Sequence, residues 1–152
     1  TVVKYIHDPD FMLNQIPLGS FDIFITQAVL EHFDDVECTF QKVKEKMKPN
    51  GVLSNLVDAA SHTRYIKDID PCNLLRYSDT IYNVLKFDGS PNRLRASHYE
   101  EIFKILGYDN INIVPNRILD IEYVKGLKEH ISAKFKHDDS LNMLSFYLLA
   151  TN

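Results

Sequence analysis

A strand–helix–strand unit in the first half of the chain restricts how this sequence can fold. Residues 21–26 are almost continuously apolar, which is typical of a strand covered on both faces in a parallel sheet. The acidic residues Asp34 and Asp35 predict a helix N-terminus, and a Pro-Asn-Gly sequence that ends at Gly51 predicts its stop. Residues 51–57 then form the next predicted strand. Connections this short imply a right-handed crossover between two neighbouring parallel strands.

The flanking residues extend this unit into an α/β fold. The predicted additional strands are 2–6, 111–114 and 141–150, and the predicted additional helices are 74–86, 97–106 and 123–135. We expect a Rossmann-like sheet that is mostly parallel, covered by helices, with an antiparallel C-terminal edge. No linker divides the sequence, so residues 1–152 are predicted to belong to a single domain.

Composition excludes several classes of function. The formal net charge of -4 argues against nucleic acid as a partner, because phosphate binding needs a positive field. The sequence has no apolar run long enough for a membrane span and no signal-peptide pattern. Cys38 and Cys72 have no metal-ligand spacing, so we expect two reduced thiols, no metal site and a cytoplasmic location.

Three stretches in order along the chain resemble class I S-adenosylmethionine-dependent methyltransferases. Residues 21–33 (FDIFITQAVLEHF) resemble the fourth strand of that family and the loop after it. Residues 40–51, which end in MKPNG, resemble the turn before the fifth strand. Residues 92–99 (NRLRASHY), followed by ILGY at 105–108, are similar to the helix and stop before the sixth strand. The resemblance implies a methyltransferase fold with S-adenosylmethionine as cofactor.

The front of the family pattern, a glycine-rich loop between a strand and a helix, does not occur here. The five glycines of the chain are isolated from one another, and the sequence begins at Thr1 inside an apolar β-branched run. We therefore expect a truncated methyltransferase domain with the first strands upstream. Such a domain would expose a sheet edge, bind the cofactor weakly when alone, and be prone to self-association.

The resemblance implies which residues bind the cofactor. An acid at the position of Asp10 would accept from the adenine amino group, and the next backbone N–H would donate to the ring. Asp8 could carry that role instead, and either acid could simply cap a turn. The backbone after the first central strand would meet the methionine part. The predicted cofactor-binding residues are Asp10, Phe11, Thr26, Gln27, Ala28 and Glu31.

The acceptor side is predicted at the same carboxyl edge of the sheet, where open α/β sheets bind ligands. His32 could take a proton from an acceptor hydroxyl or amine, or it could lock its loop to neighbouring strands. Polar residues after residue 57 form either an acceptor site or a solvated loop. The predicted acceptor residues are Asp58, His62, Arg64, Tyr65 and Arg76, with His32 and His62 as the catalytic candidates.

These patterns predict methyl transfer to a small-molecule or saccharide-type acceptor. The alternatives are a non-catalytic, methyltransferase-like interaction or regulatory subunit and, from a third class, another doubly wound nucleotide-binding protein. A glycine-rich strand–loop–helix upstream of Thr1 would favour the enzyme.

Overall fold

The computed structural model describes residues 2–152 and has one sheet in the strand order β1-β2-β4-β3. β1 and β2 pair in parallel, whereas β4 is antiparallel to both β2 and β3. Three strands therefore share one direction, and the C-terminal strand runs against them. The predicted α/β class is confirmed, and the reversed strand lies between β2 and β3. The strands are β1 (Phe21–Gln27), β2 (Met47–Asp58), β3 (Asp109–Ile118) and β4 (Met143–Thr151).

Helices and short 3-10 turns connect the strands. No helix within residues 2–152 has the length and apolar character needed to cross a bilayer. The helices are α1 (Val36–Lys46), α2 (Ile66–Ile69), α3 (Asp79–Leu85), α4 (Ala96–Ile105) and α5 (Ile121–His130), and the 3-10 turns are Leu30–His32, Asn73–Leu75 and Ala133–Phe135.

Helix α1 forms for local reasons. Its N-cap is Asp35, whose carboxylate accepts the N–H of Cys38 at 2.8 Å and so satisfies a first-turn donor. Its apolar face is buried, and Phe40 shares a core with Leu53 of β2 and Phe146 of β4. The predicted parallel pairing of β1 with β2 and the predicted burial of Phe40 are both confirmed.

Gly51 allows β1 and β2 to approach each other. A β-carbon at this position would lie 2.9 Å from the carbonyl oxygen of Lys48 and 3.3 Å from that of Asp22. The first distance is shorter than real side chains make, so any other residue would force the β2 backbone itself to shift, and the second is a tight contact across to β1. The register of the pair also shifts here, between Phe21 and Ile23.

Two apolar cores stabilise the fold. The first packs α1 and α4 on one face of the sheet, with the rings of Phe40 and Phe103 4.7 Å apart. The second joins α5 to the Asn73–Leu75 and Ala133–Phe135 turns. Arg95 is fully buried and donates to the carbonyls of Ala59, Leu141 and Met143. This guanidinium therefore ties the end of β2 to the beginning of β4.

The opposite face of the sheet is open at β1. Ile23, Ile25 and Val52 are 60%, 70% and 44% exposed, and Ile23 lies beside Val52 in register. The expectation that residues 21–26 are covered on both faces is therefore wrong for the described residues. Their apolar character remains on a surface, which has consequences for association.

Three predicted elements differ from the structure. Val2–Ile6 forms no strand, because an extended segment needs a paired neighbour for its backbone groups, and Val2 and Val3 are exposed. The predicted helix 74–86 is divided, because Ser78 accepts the N–H of Ile81 and starts α3 afresh. The predicted helix 123–135 stops at His130, where extended Ile131 enters the second core.

Candidate active site

The loops that follow β1 and β2 meet at one edge of the sheet. The two strands are parallel, and Thr26 lies opposite Asn55, where its hydroxyl donates to the Asn55 side-chain oxygen at 2.8 Å. Ala28 then takes a left-handed conformation, with φ of 51°, while its N–H donates to the carbonyl of Leu56. Gln27 and Ala28 are exposed. This loop is thus accessible at the edge where α/β sheets bind ligands.

Glu31 is the most unusual residue at this edge. It is 2% exposed, and neither oxygen of its carboxylate has a hydrogen-bond partner among the described residues. Burial raises the pKa of Glu31. Buried carboxylates are normally paired, because an unpaired one is costly to remove from water. A buried carboxyl without a protein partner is therefore a strong candidate for binding something else.

His32 and His62, predicted from different loops, lie against each other. Their rings stack with centroids 5.0 Å apart and 26° between the planes. Nδ1 of His32 is 2.6 Å from the carbonyl oxygen of Gly89, so that nitrogen carries the proton and Nε2 is left free. Nε2 of His62 is 3.8 Å from Oδ2 of Asp58. Burial lowers the pKa of His62, and the nearby Asp58 opposes that shift.

Together these residues form a cluster of metal-ligand type. Glu31, His32 and His62 each present one potential ligand atom, and these atoms lie within 4.8 Å of one another. Nε2 of His32 is 4.0 Å from Oε1 of Glu31. The predicted parallel pairing of β1 and β2 brings the two loops to one edge, but the sequence did not indicate that Glu31 is buried beside both imidazoles.

A cavity of about 640 Å³ opens beside His62. This volume suits a small molecule. Of the predicted acceptor residues, His62 and Arg64 line the cavity, whereas Tyr65 lies outside it under the Arg64 guanidinium, 5.4 Å from ring centroid to Cζ. The sequence did not indicate the aromatic residues of the wall, which come from the segment after β2: Tyr77, Tyr82 and Phe87.

Arg76 was also predicted to bind the acceptor, but it does not line the cavity and pairs with Asp70 instead. Its Nε donates to Oδ2 of Asp70 at 2.6 Å, and the Tyr123 hydroxyl donates to Oδ1 of the same carboxylate. Burial alone would raise the pKa of Asp70, but the hydrogen bonds from Arg76 and Tyr123 outweigh it and lower that pKa. These bonds fasten the Asn73–Leu75 turn to α5.

Asn92 holds the Glu31 turn in place, a role that its sequence position did not reveal. Its amide donates to the carbonyls of Leu30 and Phe33 at 2.9 and 3.1 Å. Its backbone N–H donates to the carbonyl of Glu31 at 2.6 Å. The only available signal was that Asn92 begins the NRLR run of the family resemblance.

The predicted adenine-side residues lie near the same turn. Phe11 packs on Phe33 with ring centroids 5.1 Å apart, which brings the Asp10 turn to the edge beyond β1. Asp10 is exposed, whereas the Asp8 carboxylate caps the turn by accepting from Met12 and Leu13. The Phe11 N–H donates to the Asp8 carbonyl, so donation to adenine would require that bond to open. Of these groups, the Asp10 carboxylate is accessible to a ligand, whereas the Phe11 N–H is engaged within the turn.

Residues 2–54 match a protein family described as "Methyltransferase domain". The predicted family resemblance is confirmed. No curated protein sequence matches the chain.

Solved structures share the methyltransferase fold at low identity. Phosphoethanolamine N-methyltransferase 2 from Haemonchus contortus, solved with S-adenosyl-L-methionine, has 14% identity and a TM-score of 0.55, with 90% of this chain and 34% of that chain covered. An S-adenosylmethionine-dependent methyltransferase from Archaeoglobus fulgidus has 12% identity and a TM-score of 0.54, with 92% and 63% covered. The chain thus spans from a third to under two thirds of the length of these structures, and identities this low show the fold alone.

Proposed function

We propose that this chain forms the acceptor side of an S-adenosylmethionine-dependent methyltransferase acting on a small-molecule or saccharide-type acceptor. The observation that carries the proposal is the stacked pair His32 and His62 at the carboxyl edge of β1 and β2, with a cavity beside it. Two histidines, a cavity of ligand size and a methyltransferase fold meet at the edge where this class of sheet binds ligands.

S-adenosylmethionine, when bound, supplies an electrophilic methyl group. In this chain Asp10 and Phe11 would hold the adenine side, and the backbone of residues 26–28 would face the methionine part. Glu31, in the turn that follows these residues, would complete the cofactor-binding set. The protein's contribution is alignment of the two reactants and exclusion of water.

The histidines act on the acceptor. Nε2 of His32 is free because Nδ1 is held by Gly89, and His62 faces the cavity. Either imidazole can receive a proton from an acceptor hydroxyl or amine. The aromatic wall of Tyr77, Tyr82 and Phe87 provides flat apolar surface for the body of the acceptor, including the face of a sugar ring.

The test uses the full-length protein. Calorimetry measures S-adenosylmethionine affinity, and S-adenosylhomocysteine release is followed with a panel of small amines and monosaccharides. His62→Ala should lower kcat/KM about 100-fold and change cofactor affinity less than about twofold. His130→Ala, on the exposed surface of α5, is the matched control.

Other results would overturn the proposal. If His62→Ala lowers cofactor affinity as much as it lowers kcat/KM, then His62 stabilises the fold and does not act on the acceptor. A full-length protein that binds no S-adenosylmethionine would favour the non-catalytic interaction subunit.

A further inference from the structure

The Glu31 carboxylate has no protein partner, yet it faces two imidazoles. Both of its oxygens are buried without a hydrogen bond among residues 2–152, and the ring atoms of His32 and His62 are within 4.8 Å. The backbone N–H groups of Glu31 and Asp58 lie near enough to lower the pKa of this carboxylate, but neither reaches hydrogen-bonding geometry with it. Protein hydrogen bonds therefore do not offset its burial. A cation at the centre of the three groups would.

We propose that Glu31, His32 and His62 bind one divalent transition-metal ion of the zinc type. Two imidazoles and one carboxylate are a recognised zinc ligand set, and with three protein ligands a fourth position stays open. Imidazole nitrogen favours zinc, copper, iron or nickel over magnesium and calcium, which prefer oxygen ligands. The donor atoms therefore select the chemical class of the ion.

The surroundings of His32 match those of a metal ligand. Its Nδ1–H donates to the Gly89 carbonyl at 2.6 Å, which fixes the tautomer and leaves the lone pair on Nε2, 4.0 Å from Oε1 of Glu31. Ligating histidines usually donate their second nitrogen to a carbonyl or carboxylate in this way. Asn92 in turn holds the backbone of the Glu31 turn through three hydrogen bonds.

A carboxylate also lies beside His62. Oδ2 of Asp58 lies 3.8 Å from its Nε2, and Oδ1 accepts the backbone N–H of Ala60. A tetrahedral ion with bonds of about 2.1 Å keeps its ligand atoms about 3.4 Å apart. Side-chain movements of about 1 Å would thus close the three groups around an ion.

The open position of the ion would face the cavity that His62 lines. With the ion bound, the ligating imidazole nitrogens would not accept a proton; an acceptor oxygen or nitrogen at the open position would instead become more acidic, because a metal ion polarises its ligands. This consequence for the acceptor rests on the proposed methyl transfer. The binding of the ion itself does not, so the two can be tested apart.

The experiment measures metal binding without cofactor or acceptor. Full-length protein is stripped with a chelator, and Zn²⁺ is titrated against a fluorescent zinc indicator. One equivalent should bind with a dissociation constant of about 1 µM or tighter. Cobalt substitution should give the visible absorption of a four-coordinate site, and millimolar Mg²⁺ should not compete.

Variants identify the ligands. Glu31→Gln keeps the shape of the side chain and should weaken Zn²⁺ binding about 100-fold, as should His62→Ala, with circular dichroism confirming the fold. His130→Ala should bind as the parent does. The proposal is overturned if the parent binds no Zn²⁺, if both variants bind as tightly as the parent, or if Mg²⁺ displaces Zn²⁺. Methyl transfer by a protein that binds no Zn²⁺ would reject the metal site alone.

Discussion

The imidazole of His32 stacks on that of His62, with ring centroids 5.0 Å apart, although the two residues follow different strands. The contact exists because β1 and β2 are parallel and end at the same edge. A buried carboxylate, an aromatic-walled cavity and the anchoring residue Asn92 surround it. The arrangement gives this edge of the sheet its chemical character.

Asp10 and Asp8 should have separable roles. Asp10→Ala in the full-length protein should weaken S-adenosylmethionine binding about 10-fold, because a hydrogen bond to a charged group contributes about 1.5–3 kcal/mol. Asp8→Ala should instead lower the free energy of unfolding by about 1 kcal/mol, because its carboxylate caps the 8–13 turn. Calorimetry and urea unfolding measure the two effects. Loss of cofactor affinity in Asp8→Ala alone, at unchanged stability, would reverse the assignment.

Arg95→Met should destabilise the fold by about 3 kcal/mol, because it leaves the carbonyls of Ala59, Leu141 and Met143 buried without donors. Urea unfolding followed by circular dichroism measures the change. Arg117→Met on the exposed part of β3 is the control and should lie within about 0.5 kcal/mol of the parent. Equal stability of the two variants would show that the buried guanidinium contributes nothing.

Asp138 should make stability depend on acid pH. Burial alone would raise its pKa, but hydrogen bonds from Ser140 and Ser97 outweigh burial and lower it. The folded pKa then lies below the unfolded value of about 3.9. The stabilisation is therefore present above about pH 4 and is lost as the pH falls through the folded pKa.

Asp138→Asn tests this linkage. The variant should be less stable than the parent at pH 7, and the difference should shrink on acidification below about pH 4. Urea unfolding at a series of pH values measures it, with the exposed Asp139→Asn as control. A constant difference between parent and variant at all pH values would contradict the prediction.

The open face of β1 should promote self-association of residues 1–152. Ile23 and Ile25 form an exposed apolar surface on a strand that pairs only with β2 among the described residues, and such edges attract a second chain. Sedimentation velocity should show association at about 100 µM. Ile25→Lys should reduce it, and Ile121→Lys, equally exposed at the start of α5, should not. A monomeric parent chain at that concentration would contradict the prediction.

Local signals in the sequence predicted the elements that depend on local interactions. Asp35 marks the start of α1 because an N-cap needs only the next turn. The strand predicted at Val2–Ile6 fails for the opposite reason, because β-branched residues form a strand only when a partner pairs with them. Apolar residues at 21–26 predicted a strand correctly, but not how many of its faces are covered.

The candidate site shows the same division. The carboxyl ends of parallel strands must coincide, so His32 and His62 could be expected near each other. Three features could not be expected, because each depends on residues far apart in the chain: the burial of Glu31, the contact of His32 with Gly89 and the hydrogen bonds from Asn92 to the Glu31 turn. The sequence suggested that Arg76 contacts the acceptor. In the structure Arg76 donates to Asp70, which also accepts from Tyr123, so Arg76 stabilises the fold instead.

Part of the segment between the two anchors is exposed and makes few contacts with the rest of the site, although Gly89 holds His32 and Asp79 pairs with Arg93. Arg76 fastens one end through Asp70, and Asn92 fastens the other to the Glu31 turn. Between them, α3 and Phe87 form much of the cavity wall, while Val84 and Phe87 remain largely exposed. Exchanging residues 84–87 should therefore change which acceptor fits while leaving Gly89, and with it the contact that orients His32, in position. Evolution or an engineer could diversify the selectivity of this fold through that one stretch.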